Sequence, residues 1–266
     1  MRKLLISSGI FILIAVAASV FYAVYLPEPA ISPDVDSLQP ELIFNNDAPT
    51  NSTSIGYKTE NKTKAPPVYK GQAMDFLGDS KILSGYPKEF VDVKRAQLAN
   101  VIGLIQKDPG ASVNWMDLGL IKKNFDNFIG TRDAWEYVKL LNPDSALAYY
   151  NLGKLYSAYL RDNQKAEENF VKAAQLDSAS DYPYLGLAEF YRDFYKAKYD
   201  QVDDVLLAGL KNLPSDPNLI IQLALYYKDL GDKENAIKYF ERFLRLPDLS
   251  GDQQQAIEAE LAELKG

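Results

Sequence analysis

The stretch YYNLGKLY, residues 149–156, decides the fold of this chain of 266 residues. Aromatic and aliphatic side chains recur in it every three or four positions, which is the spacing of a helix that buries one face. Gly153 lies inside this helical pattern, although a glycine there costs about 1 kcal/mol relative to alanine. We therefore expect a second helix to approach the backbone closely at Gly153, where a larger residue would leave no room for it.

The spacing of this stretch recurs in four copies along the chain. A large residue, two variable positions, leucine and then glycine or alanine begin at Trp115, Tyr149, Tyr184 and Ile220, at separations of 34, 35 and 36 residues. Three copies add a tyrosine three positions after the small residue, and the second halves follow the pattern small-x3-large-x2-small. This period predicts a repeat architecture in which stacked units supply each other's core.

The complete pattern closely resembles the tetratricopeptide repeat, a helix–turn–helix unit of about 34 residues with W-x2-L-G-x2-Y, A-x3-F-x2-A and a closing proline. The resemblance covers residues 112–246 and implies an all-α solenoid of helical hairpins. Lys122 replaces the tyrosine of the first copy, and Phe243 replaces a small residue of the fourth. The second and third copies carry one and two extra residues between their helices.

Composition divides the chain into six parts. We expect a short cytoplasmic tail at residues 1–3, a transmembrane signal-anchor helix at 4–26, a flexible linker rich in Pro, Asn, Ser and Thr at 27–67, an N-terminal helical cap with a degenerate half-repeat at 68–111, four repeats at 112–249 and a C-terminal capping helix at 250–266. Residues 72–85 are interpreted as one short helix of the cap, and Ser250 or Asp252 as the N-cap of the last helix.

The predicted anchor contains no charged side chain. Its 23 residues would span roughly 34 Å as a helix, enough for a bilayer core of about 30 Å. Arg2 and Lys3 precede it and the next basic residue is Lys58, so the positive-inside rule predicts a cytoplasmic N-terminus and an extracytoplasmic repeat domain. Alternatively, the small-x-small residues 15–17 mark a cleaved signal peptide, and the protein is secreted.

The absence of histidine and cysteine excludes most common catalytic sites. Ser-His-Asp and Cys-His mechanisms, the HExxH motif and cysteine zinc sites all require residues that the chain lacks. A formal net charge of -7 also disfavours nucleic acid as a ligand. The acidic stretch DQVDD, residues 200–204, fits the N-terminus of a helix better than a calcium loop. We expect no enzymatic activity, cofactor, metal, nucleic acid or small-molecule substrate.

The resemblance implies that the first helices of the repeats line a concave groove. Positions 2, 5, 9, 12 and 13 of the copies face it, and the partner-binding residues implied in this way are Met116, Leu120, Lys123, Tyr150, Lys154, Tyr182, Leu185, Glu189, Arg192, Ile221, Leu225 and Lys228. Because the set combines apolar side chains with both signs of charge, we expect a protein or peptide ligand in the groove. Alternatively, some of these side chains pack against residues 68–85 or lie buried between helices.

Two functions are compatible with these features. The first is a membrane-tethered scaffold that mediates protein–protein interactions in cell-envelope complex assembly. The second is a structural or accessory subunit of an envelope machine, held by its transmembrane helix. Binding of a C-terminal carboxylate, as in chaperone-binding members of the family, is excluded because Met116, Leu120 and Tyr182 stand where that site needs polar groups.

Overall fold

The computed structural model describes residues 65–266. The predicted anchor and nearly all of the predicted linker lie outside these residues. Residues 65–266 form helices and no strands, so the prediction of an all-α fold is confirmed for this part of the chain. None of the helices there combines the length and the apolar character that a membrane span requires.

The α-helices of the described residues are α1 (Ser80–Leu83), α2 (Lys88–Lys107), α3 (Ser112–Lys123), α4 (Phe128–Leu141), α5 (Ala146–Leu155), α6 (Asn163–Leu176), α7 (Tyr182–Glu189), α8 (Val202–Asn212), α9 (Pro217–Asp229), α10 (Lys233–Leu244) and α11 (Gly251–Lys265). Four antiparallel helical hairpins lie at the four predicted repeats, α3/α4, α5/α6, α7/α8 and α9/α10. Helix α2 packs on α3 at one end of the array, and α11 packs on α10 at the other.

Short polar side chains fix where several helices begin. Asp162, Asp216 and Asp232 each accept a hydrogen bond from the backbone N–H three residues further on. Ser250 and Gln253 form a capping box at the start of α11, so Ser250 rather than Asp252 is its N-cap. Each such bond satisfies a donor that the first helical turn leaves unpaired.

The turns between paired helices absorb the extra residues of the second and third repeats. A π-helical turn, Tyr156–Leu160, continues α5, and the left-handed residue Arg161 (φ 56°) then reverses the chain. A second π-helical turn, Phe190–Phe194, continues α7 and leads into the 3-10 helix Lys196–Gln201. In the fourth repeat, Gly231 (φ 74°) reverses the chain without this insertion.

The small residues of the repeats lie where the two helices of one hairpin touch. A Cβ atom at Gly153 would lie 2.8 Å from ring carbons of Phe170 on α6, and one at Gly119 would meet the indole of Trp135 on α4. A real Cβ atom never approaches a carbon this closely. The expected close approach at Gly153 is therefore present, and the ring of the second helix makes it.

We predict that Gly153→Leu lowers the free energy of unfolding by about 1–3 kcal/mol, because the added side chain overpacks against Phe170. Urea unfolding of the full chain followed by circular dichroism measures this change. The matched control is Gly103→Leu in α2, where a Cβ atom would meet nothing within 4 Å. Equal midpoints for both variants would contradict the assigned register.

A hydrogen bond from tyrosine to carboxylate links neighbouring repeats. In each case the hydroxyl comes from the first helix of one repeat, or from the π-helical turn that continues it, and the carboxylate from the second helix of the preceding repeat. Burial raises the pKa of these tyrosines, and the carboxylate raises it further, so each hydroxyl keeps the proton that it donates. The three pairs are Tyr156–Glu136 (3.1 Å), Tyr191–Glu167 and Tyr227–Asp203 (3.0 Å).

We expect Tyr227→Phe to lower the free energy of unfolding by about 1–2 kcal/mol, since a hydrogen bond to a charged group is lost. Combined with Asp203→Asn, it should show a coupling energy of at least about 0.5 kcal/mol in a double-mutant cycle. Tyr159→Phe is the control, because the Tyr159 hydroxyl has no hydrogen-bond partner within residues 65–266. Additive effects of the two substitutions would show that the bond contributes nothing.

The first repeat replaces this tyrosine with Lys122, whose side chain is completely buried. Its ammonium donates to the carbonyl oxygens of Ala73 (2.8 Å) and Phe76 (2.9 Å). Burial lowers the pKa of Lys122 to about 8. The two carbonyls belong to a non-helical segment, residues 67–78, which we call the strap.

The strap corrects the interpretation of residues 72–85 as one short helix. Only Ser80–Leu83 is helical, because carbonyls of the strap accept hydrogen bonds from Lys122 and Asn127 instead of from their own helix.

Helix α2 buries only part of the apolar side chains in its sequence. The structure buries Val91, Leu98, Val101 and Ile105, whereas Phe90, Val93 and Leu104 are exposed, since α2 packs on α3 from one side.

Candidate partner-binding cleft

A cleft of about 470 Å³ opens between the second, third and fourth repeats. Helices α7 and α9 form its walls, and α5 contributes one residue, Tyr150. Seven of the twelve predicted groove residues line it, namely Tyr150, Tyr182, Leu185, Glu189, Arg192, Ile221 and Leu225. The structure thus brings more than half of the predicted set together at one place.

Tyr150 forms the floor of the cleft instead of projecting from it. Only 8% of the residue is exposed, and its ring lies so close to Gly186 that a Cβ there would be 2.5 Å from a ring carbon. The ring of Tyr182 stands perpendicular to it, with centroids 4.9 Å apart. The sequence predicted Tyr150 as a groove contact. The structure buries it, because the small residue Gly186 leaves room for its ring to pack inward. Tyr149 beside it is half-buried and packs against the core.

The walls of the cleft are aliphatic. Leu185 of α7 and Ile221 of α9 are half-buried, and Leu225 of α9 is 37% exposed. Aliphatic side chains that remain accessible in a concavity lose water when an apolar partner group enters. This arrangement suits an apolar side chain of a partner protein.

The rim of the cleft is acidic. Its charged residues are Asp181, Glu189, Arg192 and Asp229. Arg192 is paired with Asp193 (3.0 Å) and donates to the Gln222 side chain (3.0 Å), and the hydrogen bond to Asp193 raises its pKa. Lys154 forms an ion pair with Glu189 at 3.1 Å. When these two partners, Asp193 and Lys154, are included, four carboxylates stand against two cations. This excess of negative charge favours a partner segment with positive charge.

Five of the twelve predicted groove residues lie outside the cleft, and three of them belong to α3. Met116 is half-buried where the two apolar cores of the array meet, and Leu120 is 53% exposed on α3. The Lys123 ammonium lies over the Tyr159 ring, 5.3 Å from its centroid. Burial lowers the pKa of Lys123, and the neighbouring charge of Lys154 lowers it further.

Lys228, predicted to face a ligand in the groove, pairs instead with the C-terminal helix of its own chain. Its ammonium lies 2.5 Å from a carboxylate oxygen of Glu260 on α11, and Glu263 of the same helix is 3.7 Å away. The hydrogen bond to Glu260 raises the pKa of Lys228. The C-terminal helix therefore uses this lysine as an attachment point.

The sequence-based set missed several residues of the cleft. Asn218 and Asp229 occupy positions 2 and 13 of the fourth copy, so the positional rule that gave Ile221 would have found them too. Asp181 and Gly186 lie at positions that the rule does not include. Their place in the cleft depends on how the third repeat packs on Tyr150, which no local pattern encodes.

The acidic stretch at residues 200–204 is part of a repeat junction. Asp203 accepts the hydroxyl hydrogen bond of Tyr227, and Asp203 and Asp204 lie in the first turn of α8. Burial raises the pKa of Asp204, and the neighbouring carboxylates raise it further. In the part of the chain that the structure describes, no group of three or more carboxylates is placed to hold a metal ion.

The tetratricopeptide repeat family matches residues 146–180 and 217–247. Tetratricopeptide repeats are therefore present in this chain. Each match begins at the first residue of a helix, Ala146 of α5 and Pro217 of α9. These are the second and fourth predicted copies. The first and third copies, which carry Lys122 and the two extra residues, lie outside the matched ranges.

Two solved structures of MamA are similar to the chain. One is 21% identical with a TM-score of 0.46, and the match covers 71% of this chain and 94% of that one. The other is 20% identical with a TM-score of 0.45, covering 61% and 87%. No match was found among curated proteins.

Proposed function

We propose that the protein is a membrane-tethered scaffold that binds a protein partner in the cleft between α7 and α9, on the extracytoplasmic side. The presence of tetratricopeptide repeats suggests a protein–protein interaction scaffold, and such scaffolds are typically not enzymes. The observation that supports the proposal most directly is the cleft itself, with aliphatic walls, an aromatic floor and an acidic rim. Assembly of a cell-envelope complex is the role that we assign to it.

The chemistry of the cleft defines the partner segment that would fit. Leu185, Ile221 and Leu225 would contact an apolar side chain, and the perpendicular rings of Tyr150 and Tyr182 would close the space behind it. Contacts of this kind, central and shielded from water, contribute most of the binding energy at protein interfaces. The carboxylates of the rim would attract basic residues beside the apolar one and speed association.

The tether is inferred from residues 4–26, which carry no charge. A helix of this length fits a bilayer, and Arg2 and Lys3 favour a cytoplasmic start. The 38 residues from 27 to 64 would reach at most roughly 130 Å when fully extended. Such a connection would let the repeats find a partner anywhere near the membrane surface.

The cleft is tested by comparing Leu225→Asp with Leu207→Asp in the full chain. Leu225 lines the cleft and is 37% exposed, whereas Leu207 on α8 is 38% exposed and lies outside it. Partners are crosslinked in native membranes, identified, and titrated with the purified variants. We expect Leu225→Asp to weaken binding at least about tenfold, or 1.4 kcal/mol, and Leu207→Asp to leave it unchanged. Equal affinities for both variants would exclude the cleft as the binding site.

The tether is tested by comparing Val16→Arg with Val35→Arg, of which only the first lies in the predicted span. An arginine at the centre of a span costs about 3 kcal/mol of insertion. We expect the wild type and Val35→Arg to stay in the membrane pellet after alkaline extraction, and Val16→Arg to leave it. Mass spectrometry of the mature N-terminus distinguishes a retained anchor from a cleaved signal peptide. A soluble chain that begins after residue 17 would replace the tether with a cleaved signal peptide.

A further inference from the structure

The strap is held by side chains of the first repeat that bind its main chain. Because every peptide has the same main chain, these contacts recognise a conformation more than a sequence. The contacts are Tyr137 Oη to Pro67 O (2.5 Å), Gln72 N to Asp133 Oδ2 (2.9 Å), Lys122 Nζ to Ala73 O (2.8 Å) and Phe76 O (2.9 Å), and Asn127 Nδ2 to Phe76 O (3.2 Å).

Two side chains of the strap add selectivity. The Gln72 Oε1 atom accepts hydrogen bonds from Asn127 Nδ2 (2.6 Å) and Lys122 Nζ (3.3 Å). The Tyr69 ring packs against Trp115, with centroids 4.7 Å apart. The first repeat therefore recognises an aromatic residue followed three positions later by glutamine.

The donors of this site are buried beneath the strap, and one of them is also held by its own helix. Lys122 is completely buried and Asn127 is 7% exposed. The Asn127 Oδ1 atom caps α4 by accepting from Gly130 N (3.0 Å), which turns its Nδ2 toward the strap. A buried ammonium and amide without acceptors would cost several kcal/mol, on the order of 1–3 kcal/mol for each group. The strap supplies these acceptors and excludes water from both donors.

Most residues of the strap are exposed, although the strap is bonded to the first repeat. Leu77 is the one buried residue of the strap, while Val68 is 78% exposed and Phe76 is 42% exposed. An open cleft of about 380 Å³ separates residues 75–78 from Leu98 and its neighbours on α2. Tyr69, Met74 and Leu77 pack against the apolar core beneath the strap, and the rest of the strap is held by polar bonds. An exposed segment with few buried apolar contacts is the kind that opens while the rest of a protein stays folded.

We propose that this surface of α3 and α4 is an exchangeable peptide-binding site, filled in cis by the strap. It takes a non-helical segment with an aromatic residue three positions before a glutamine. The site is separate from the cleft between α7 and α9, and the two share no residue. A tethered segment competes at an effective concentration near the millimolar range, so a second segment enters once the strap is weakened or pulled away.

The test uses the full chain with Tyr69→Ala and Gln72→Ala, which weakens the strap and leaves the site intact. A fluorescent peptide of residues 65–79 is titrated against it and against the wild type by anisotropy. We expect binding to the variant to be at least tenfold tighter than to the wild type. A peptide carrying the same two alanines should not bind. Adding Tyr137→Phe, which keeps the ring and removes one donor to the strap, should weaken the binding of the peptide severalfold.

Hydrogen exchange of the same proteins gives the second measurement. The Gln72 amide should exchange faster than the amides of α3 and α4 in the wild type, and faster still in the variant. Exchange of Gln72 as slow as that of the helices would show the strap to be a permanent part of the core and overturn the proposal. A released strap in the variant without peptide binding would overturn it equally.

Discussion

At each junction between repeats, a buried tyrosine hydroxyl needs the carboxylate that the preceding repeat provides. Tyr156, Tyr191 and Tyr227 cannot make this bond within their own hairpins, since the acceptors lie on α4, α6 and α8. At the middle junction, Lys198 also donates to Glu167 at 2.6 Å, so one carboxylate serves two donors. A hairpin without a predecessor would leave a buried hydroxyl unpaired, and its stability therefore depends on its neighbour.

This dependence explains how the array ends. The first repeat has no preceding carboxylate, and Lys122 stands where the tyrosine would be. Because a lysine ammonium carries three hydrogen-bond donors and no acceptor, Lys122 requires several acceptors in place of the single carboxylate that a tyrosine binds. The carbonyls of the strap provide them. At the other end Lys228 binds Glu260 of α11, which covers the last repeat. Each end of the array is thus closed by a lysine that binds a segment outside the repeats.

Features with a local cause could be predicted from the sequence. The four hairpins and the close approach at Gly153 follow from spacing and residue type, which also limit the N-cap of α11 to Ser250 or Asp252. The burial of Tyr150 could not be predicted, because it depends on the neighbouring Gly186. The strap was missed for a similar reason, since its hydrogen bonds join residues about 50 positions apart that share no pattern.

The two surfaces of our proposals differ from the rest of the array for different reasons. At the strap, the period itself is broken, because Lys122 stands where the other repeats have tyrosine and binds carbonyls outside the array. The cleft keeps the period, since Tyr182, Leu185 and Leu225 occupy regular groove positions. A regular array presents equivalent positions in every unit. A site can therefore differ from its neighbours through the side chains at those positions, as in the cleft, or through a residue that breaks the pattern, as at Lys122.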